Sequence, residues 1–346
     1  MNTKIIKTNA ANIDETAIED AAEIIKKGGL VAFPTETVYG LGANALDAEA
    51  SKKIYEANGR PSDNPLIAHI ASLDTLDEIV EDVSDVAKKL IDRFWPGPMT
   101  LIFKKKELVP DSTTGGLDTL AVRFPSNEIA KTLIEKSGVP IAAPSANVSV
   151  RPSPTKGEHV IEDLDGKVDM IIDGGEVGLG LESTIIDVTD KPTILRPGFI
   201  TQEMLEDVIE EVRLDQTIIE KPSDDFLPKA LGMKYRHYAP KTELVIVRGS
   251  AENVAQKIKE ETQNKKAAII TVDQHLDLYK DIDAKVVSWG DKEQMDEIAH
   301  QIFDALRKVD EWGVDIIYCE AFDEEDLGLA VMNRLTKAAG YQVIDV

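Results

Sequence analysis

The sequence predicts a protein of two α/β domains joined by a linker, and three observations lead to this fold class. The chain has 346 residues, which is enough for two hydrophobic cores of ordinary size. Apolar stretches of strand length alternate with amphipathic stretches of helical period in both halves. Over about 208–243 this alternation weakens and three prolines occur, so we place the domains at 1–208 and 242–346 and a linker at 209–241.

The amino-terminal domain is predicted to begin with two helices and a strand between them. Residues 15–29 (ETAIEDAAEIIKKGG) have helical periodicity and a glycine stop, and 30–38 (LVAFPTETV) reads as a strand that enters a loop. Asp47 is the predicted N-cap of the next helix, DAEASKKIYEAN, which ends where Gly59 precedes Arg60 and a proline. The polar segment GRPSDNPL therefore begins at a helix exit.

The rest of this domain reads as further strands and two helices. One amphipathic helix is predicted over 72–94 and another over 127–138. The strand patterns are PLIAHI (65–70), MTLIFKK (99–105), TLAVRFP (119–125), VPIAAPSAN (139–147), DMIIDGG (169–175) and STIIDVT (183–189). Several strand pairs follow one another without a helix between them, which favours a mixed sheet over a strictly parallel one.

The carboxy-terminal domain has a more regular alternation of strand and helix. The strand patterns are ELVIVRG (243–249), KAAIITV (266–272), AKVVSWG (284–290) and DIIYCEAF (315–322), and helical patterns separate or follow them. This order predicts a small Rossmann-like α/β domain with a parallel sheet.

Composition and charge exclude several classes of function. The formal net charge is −24, and residues 241–346 alone carry 13 basic and 22 acidic side chains, so we expect no stable nucleic-acid binding. The N-terminus has no signal-peptide pattern, and no run approaches the roughly 20 apolar residues of a membrane span, so a cytoplasmic protein without membrane contact is expected. Cys319 is the single cysteine and the five histidines lack ligand spacing, so no resident metal site is predicted.

Polar loops at strand ends are the candidate functional residues, because the motifs of common hydrolases, P-loop proteins and zinc proteases are missing. In PTETVYGLG (34–42), Thr37 stands beside glycines that allow close approach of a ligand. GRPSDNPL (59–66) offers Arg60 for a phosphate or carboxylate and Asn64 as a neutral partner. Arg123 lies in an otherwise apolar strand, which is costly unless it meets an anion.

Two later segments add hydroxyls and a third arginine. APSANVSVRPSPT (143–155) places Ser145, Asn147 and Ser153 after an apolar strand, and ESTI and LRPG contribute Ser183 and Arg196. Arginines and hydroxyls at several loop mouths predict a pocket for a polyanionic small molecule that is held without a P-loop.

These motifs, taken in order, resemble those of the YrdC/Sua5 family. The matching segments are PTETVYGLG, GRPSDNPL, FWPGPMTL (94–101), AVRFP, APSAN, ESTI, LRPG and GMKYRHYAP (232–240). The total length, with a linker and a small second domain, is similar to the long Sua5 form. The resemblance implies a YrdC-like twisted mixed sheet with a concave face, followed by the linker as a lid and the Sua5 C-terminal domain.

The family makes L-threonylcarbamoyladenylate and pyrophosphate from L-threonine, bicarbonate and ATP, with Mg²⁺ accompanying the ATP. The resemblance implies this nucleotidyltransferase activity, whose product a tRNA threonylcarbamoyl transferase would use to modify adenosine 37 of tRNAs. It also implies site residues. Those expected around threonine are Thr37, His69, Arg123, Ala143 and Ser183. Those expected around ATP are Arg60, Asn64, Thr119, Ser145, Ser153, Arg196, Tyr235 and Tyr238. Arg60, Ser145 and Asn147 are expected to be catalytic.

One position departs from the family pattern. The family usually has Lys-x-Arg where this chain has Asn58, Gly59 and Arg60. Because asparagine supplies no charge, one anion contact is in doubt, and Lys52 or Lys53 is the candidate replacement. Two alternatives stay open at this point: an RNA- or nucleotide-binding module with impaired catalysis, and carbamoyl transfer from carbamoyl phosphate, which the related hydrogenase-maturation proteins perform with additional modules.

Overall fold

The structure is a computed structural model that describes residues 2–218, 220, 222–223, 228–230, 233 and 237–346. The chain forms two compact units. The first comprises residues 1–149 and 153–234, and the second comprises 150–152 and 235–346. In the described part of the chain, no helix is long and apolar enough to cross a membrane. Tyr235, a predicted nucleotide contact, lies outside the described residues.

The first unit is built on a mixed sheet, as predicted. Its strands are β1 (Lys4–Lys7), β2 (Val31–Phe33), β3 (Gly40–Asn44), β4 (Ile67–His69), β5 (Met99–Lys104), β6 (Thr119–Arg123), β7 (Ile141–Ala143), β8 (Met170–Asp173), β9 (Thr184–Asp187), β10 (Thr193–Arg196) and β11 (Arg213–Leu214). Their order across the sheet is β1-β8-β2-β3-β7-β4-β6-β5-β9-β10-β11. Strand β4 pairs parallel with β6 and antiparallel with β7, and β5 pairs antiparallel with β6 and parallel with β9.

The helices of the first unit are α1 (Glu15–Lys26), α2 (Ala48–Asn58), α3 (Leu73–Ile79), α4 (Asp85–Phe94), α5 (Asp111–Thr114), α6 (Glu128–Ser137), α7 (Gly157–Leu164) and α8 (Gln202–Glu206). The prediction of one helix over 72–94 is wrong, because the segment forms α3 and α4 with a break between them. At the break Val80 bridges Lys105, and Ser84 accepts a hydrogen bond from the Ala87 amide as the N-cap of α4. The Val80 amide still donates to the Leu76 carbonyl of α3, but the next amide, that of Glu81, donates to the Lys104 carbonyl of β5 in place of a helical acceptor.

One face of this sheet is covered in two different ways. Helices α1 and α6 pack on the half that contains β2, β7 and β8, in a core of buried aliphatic side chains and Phe33. The other half carries Ile67, Ile102 and Ala121, against which Ala230 and Met233 of the linker segment are buried. Ala143 of β7 pairs in register with Ile67, so both halves belong to the same face. The boundary between them is where the polar residues of the site gather.

The second unit has a five-stranded sheet in which all neighbouring strands are parallel, which confirms the prediction. Its strands are β12 (Glu243–Arg248), β13 (Ala267–Thr271), β14 (Lys285–Ser288), β15 (Ile316–Glu320) and β16 (Val343–Asp345), in the order β14-β13-β15-β12-β16. Its helices are α9 (Ala251–Glu261), α10 (Met295–Glu311) and α11 (Asp326–Ala338). Short 3₁₀ helices occur at Gln216–Ile218 in the first unit and Asp273–Tyr279 in the second.

Candidate active site

Three polar residues form one row across the first sheet, namely the predicted site residues His69 and Arg123 and, beside them, Thr100. Strand pairing places His69 of β4 opposite Arg123 of β6, and Arg123 opposite Thr100 of β5. Residues in register on adjacent strands project from the same face, so the three side chains share the face on which Ala143 also lies. Each is less than a tenth exposed. The row stands at the carboxyl ends of the parallel strands β4 and β6.

Arg123 is held by every nitrogen of its guanidinium group. Nη1 donates to Thr37 Oγ1 at 2.7 Å, and Nε donates to the Gly97 carbonyl at 3.3 Å. Nη2 lies 2.6 Å from Glu36 Oε1, but neither atom makes an aligned hydrogen bond, so this contact is an ion pair defined by distance. Burying an arginine is costly without a counter-charge, and Glu36 supplies one.

Glu36 belongs to the PTET loop between β2 and β3, and its carboxylate is screened from solvent. Burial by itself raises the pKa of this carboxyl, but the positive charge of Arg123 outweighs burial and holds the pKa below its usual range. The carbonyls of Glu36 and Thr37 accept hydrogen bonds from the amides of Leu179 and Gly180. These bonds attach the loop before the ESTI motif to the PTET loop.

His69 is neutral. Its Nδ1 lies 3.1 Å from the Ile67 carbonyl, an arrangement in which Nδ1 carries the proton and Nε2 is an acceptor. Burial, followed by the charge of Arg123, lowers the pKa of this imidazole to about 3. The ring of Phe33 meets it edge to face, with centroids 6.2 Å apart. His69 is therefore a hydrogen-bonding group with no charge at neutral pH.

A second buried guanidinium adjoins the row through Ser183. Arg196 Nε donates to the Ser183 carbonyl and Nη2 donates to Ser183 Oγ, both at 3.1 Å. The same hydroxyl lies 2.7 Å from Thr100 Oγ1. Since Ser183 Oγ accepts from Arg196, its own proton can go to Thr100. The residue expected at threonine and the arginine expected at ATP thus touch each other.

The loop after α2 carries Arg60 and Asn64. Asp47 accepts hydrogen bonds from the amides of two first-turn residues, which confirms the predicted N-cap, and Gly59 ends the helix in the left-handed conformation at φ 68°. The Arg60 amide donates to the Tyr55 carbonyl at 3.1 Å, and Arg60 is 9% exposed. The Tyr55 hydroxyl donates to the Asn64 carbonyl at 3.1 Å, so this helix fixes both ends of the loop.

The segment after β7 brings the remaining predicted hydroxyls towards the same region. Ser145 bridges Gly40 of β3, and the Asn147 amide donates to the Ser145 carbonyl at 3.0 Å. Farther along, Ser153 Oγ donates to Glu182, the residue before Ser183. The segment therefore connects β3, β7 and the ESTI loop.

Asn58 has a structural role that its sequence position does not indicate. Its Oδ1 accepts from the Arg60 amide at 3.2 Å and its carbonyl accepts from the Ser149 amide at 2.7 Å, while its buried Nδ2 has no partner within the described chain. Both candidate lysines have other partners. Lys52 Nζ pairs with Glu49 at 2.6 Å, and Lys53 Nζ donates to the Gly28 carbonyl at 2.6 Å.

Two predicted residues lie apart from these contacts. Thr119 stands at the opposite end of β6 from Arg123, in register with Lys104 of β5. Tyr238 belongs to the second unit, where its ring stacks on Phe303 with centroids 5.3 Å apart and Arg334 lies over it. Its assignment to the nucleotide, like that of Tyr235, stays a prediction.

Sequence reasoning missed two residues of this region. Glu36 was overlooked although it stands in the PTET motif directly before Thr37, and it is the buried carboxylate next to Arg123. Thr100 was overlooked although a hydroxyl inside the apolar strand MTLIF is a visible signal. Within the described residues, no group of three or more His, Cys, Asp or Glu side chains is arranged to hold a metal ion.

Two family profiles match the two parts of the chain. The Sua5/YciO/YrdC family, described as "Telomere recombination", matches residues 23–198, and the "Threonylcarbamoyl-AMP synthase, C-terminal domain" family matches residues 200–340. The chain belongs to the Sua5/YrdC family. Its resemblance to the long Sua5 form is thereby confirmed, since both family domains are present in the expected order.

Relatives of this Sua5/YrdC protein match over nearly the full length. The threonylcarbamoyl-AMP synthase of Pyrococcus abyssi is 51% identical over 96% of this chain and 97% of its own, and that of Bacillus subtilis is 45% identical over 97% of each. A crystal structure of P. abyssi Sua5 complexed with L-threonine has a TM-score of 0.92 at 49% identity and covers 100% of both chains. The mixed sheet and the parallel second sheet are thus those of a Sua5 protein.

Proposed function

We infer that this chain is a threonylcarbamoyl-AMP synthase, which joins L-threonine, bicarbonate and ATP into threonylcarbamoyl-AMP and pyrophosphate. The full-length similarity to a Sua5 protein that binds L-threonine carries this inference. The geometry agrees with it, because a buried arginine, two hydroxyls and a neutral histidine lie close together. The arginine suits a carboxylate, and the hydroxyls and the histidine can form hydrogen bonds with the hydroxyl of threonine.

For threonine, the proposed contacts follow from the row. Arg123 presents a fork that suits the α-carboxylate, and Thr37 and Ser183 offer hydroxyls for hydrogen bonding. His69, with Nε2 as acceptor, can receive a proton donor of the substrate, and the Ala143 backbone lies on the same face. These groups orient the amine so that it meets bicarbonate.

For ATP, most of the proposed contacts lie around this row, and Thr119 stands at the far end of β6. Arg60 and Arg196 neutralise the phosphates, and Asn64, Thr119, Ser145 and Ser153 supply hydrogen bonds, with Tyr235 and Tyr238 of the linker over the nucleotide. Mg²⁺ enters as part of the ATP complex. Because Arg196 and Ser183 touch, the phosphates and threonine would be neighbours, which their reaction requires.

The proposed chemistry needs no protein nucleophile. The threonine amine and bicarbonate form a carbamate with loss of water. A carbamate oxygen then attacks the α-phosphorus, and pyrophosphate leaves with its Mg²⁺. The protein contributes positioning and neutralisation of the charge on the phosphates, for which Arg60, Ser145 and Asn147 are the proposed catalytic residues.

The product is an activated acyl group, so an acceptor must follow. We assign the adenylate to a tRNA threonylcarbamoyl transferase, with no stable nucleic-acid binding by this chain itself, in keeping with a net charge of −24. A cytoplasmic location is part of the same proposal.

The decisive experiment measures pyrophosphate release with ATP, Mg²⁺ and bicarbonate, with and without L-threonine, together with mass detection of threonylcarbamoyl-AMP. Threonine-dependent release with the adduct is expected. Pyrophosphate release that does not depend on threonine would contradict the proposed synthase, and nucleotide binding without turnover would instead indicate a nucleotide-binding module.

A further inference from the structure

The charge balance around Arg123 has a consequence for substrate selection. Arg123 is 4% exposed, and its Nη2 lies 2.6 Å from Glu36 Oε1. Both oxygens of Glu36 and Nη2 itself are shielded from solvent and lack aligned hydrogen bonds. The site without substrate therefore holds one buried positive and one buried negative charge that water does not screen.

An anion that reaches Arg123 must also meet the field of Glu36. In a region of low dielectric constant, a carboxylate a few ångströms from another carboxylate is strongly repelled. A molecule that also carries a positive group restores neutrality, and the α-ammonium of an amino acid is such a group. Bicarbonate, acetate and hydroxy acids lack it.

We propose that Glu36 is a specificity-determining residue, which makes the Arg123 site select a zwitterionic amino acid over a plain carboxylate. The proposal rests on the function proposed above and adds a residue to it. Glu36 acts through the electric field and through Arg123, and needs no contact with the substrate. Selection of this kind depends on a repulsive element as much as on an attractive one. It also keeps bicarbonate, the anionic co-substrate, from occupying the place of the threonine carboxylate.

A simpler role for Glu36 would be to hold the Arg123 side chain in place. That role predicts a different result, because a displaced arginine binds every carboxylate less well. Charge selection predicts that loss of the Glu36 charge weakens binding of threonine and strengthens binding of an analogue without the ammonium group. The ratio of the two affinities separates the roles.

The test measures the Kd of L-threonine and of its dihydroxy acid analogue, in which a hydroxyl replaces the α-ammonium group, by calorimetry on the full chain. In wild type we expect threonine to bind better. In Glu36→Gln this preference should fall by about tenfold or more. Glu36→Asp should keep most of the preference. Glu135→Gln, which removes one charge from the exposed surface of α6, should leave it unchanged.

The outcomes are distinguishable. Equal weakening of both ligands in Glu36→Gln, or an unchanged preference, overturns charge selection. Should the amide impair folding, as judged by thermal denaturation, Glu36→Ala provides the same comparison. Failure of the wild type to bind threonine would remove the proposed function, and this inference with it, before any variant is made.

Discussion

Two buried carboxylates, one in each unit, are satisfied in opposite ways. Glu320 at the end of β15 accepts hydrogen bonds from Thr271 Oγ1 at 2.7 Å and the Tyr279 hydroxyl at 2.5 Å, and it lies 2.7 Å from His275 Nδ1. Glu36 accepts no aligned side-chain hydrogen bond and faces a buried cation. A carboxylate that accepts hydrogen bonds from several side chains is satisfied within the protein. A carboxylate whose side-chain partner is a single cation is affected by any other ion that binds to that cation.

Tyr279 is one of the hydrogen-bond donors to Glu320. Burial, followed by the charge of Glu320, raises the pKa of the Tyr279 hydroxyl, so it stays protonated and remains a donor at physiological pH. The Glu320 carboxylate is thus satisfied by side chains of the second unit, whereas the Glu36–Arg123 pair of the first unit is the one that we propose a ligand reaches. Substitutions can break or sharpen this distinction.

The largest effect is expected at Arg123. Arg123→Ala leaves Glu36 buried without its cation, which should lower the free energy of unfolding by about 3–5 kcal/mol. Threonine-dependent pyrophosphate release should fall by about 1,000-fold, because the carboxylate partner is lost. Chemical denaturation and turnover assays measure the two effects. Arg93→Ala, on the exposed surface of α4, is the control.

A double variant of Arg123 and Glu36 separates the effect of the ion pair on stability from its effect on turnover. Arg123→Met combined with Glu36→Gln removes both charges, and it should recover most of the stability but none of the turnover. If the double variant were as unstable as Arg123→Ala, the ion pair would not be the source of the loss.

The effect expected at Arg60 is on turnover. Arg60→Ala is expected to reduce kcat by about 100-fold or more, by analogy with other lost donors to a transition state. Lys52→Ala, which removes a surface ion pair with Glu49, should be near wild type. Wild-type turnover by Arg60→Ala would remove Arg60 from the catalytic group.

Glu320 should behave in the opposite manner. Glu320→Ala leaves the hydroxyls of Thr271 and Tyr279 without their acceptor, so unfolding should become easier by about 1–3 kcal/mol. Turnover of the folded protein should stay unchanged. Glu311→Ala, at the exposed end of α10, is the control. A kinetic defect in Glu320→Ala would show that the second unit's charge is not merely structural.

His69 should make stability depend on pH. Its pKa of about 3 in the folded state lies below the ordinary value of 6.5, so the unfolded chain binds more protons between these values. Stability is therefore lost as pH falls below 6.5, by about 1.4 kcal/mol at pH 5.5 from this residue. His69→Gln should flatten that part of the profile, measured by denaturation at pH 5.5 and 7.5. An unchanged slope would mean that the pKa of His69 is the same in the folded and the unfolded chain.

Asn58 should show the smallest effect, and its substitution tests the position where the family usually has a lysine. Asn58→Lys loses the acceptor for the Arg60 amide, at about 1 kcal/mol of stability, and adds a cation near Arg60 that should raise turnover severalfold. Asn58→Ala is the matched control, since it loses the same acceptor without adding charge. If Asn58→Lys turned over no faster than wild type, a lysine would be dispensable here.

Features that depend on neighbouring residues in the chain could be predicted from the sequence. The cap at Asp47, the helix end at Gly59 and the alternation that gives a parallel sheet in the second unit depend on residues close together in the chain. The ordered motifs also identified the family. The helix predicted over 72–94 failed because its break at Val80 depends on pairing with Lys105, which is distant in sequence.

The sequence by itself determined the family, the two α/β parts and the residue types of the site. Only the tertiary structure decided which side chains meet. Register between β4, β6 and β5 aligns His69, Arg123 and Thr100, and the folding of the PTET loop sets Glu36 against Arg123 across 87 positions of the chain. The physical reason is that strand pairing and the burial of opposite charges act between segments far apart in sequence, where local periodicity carries no information.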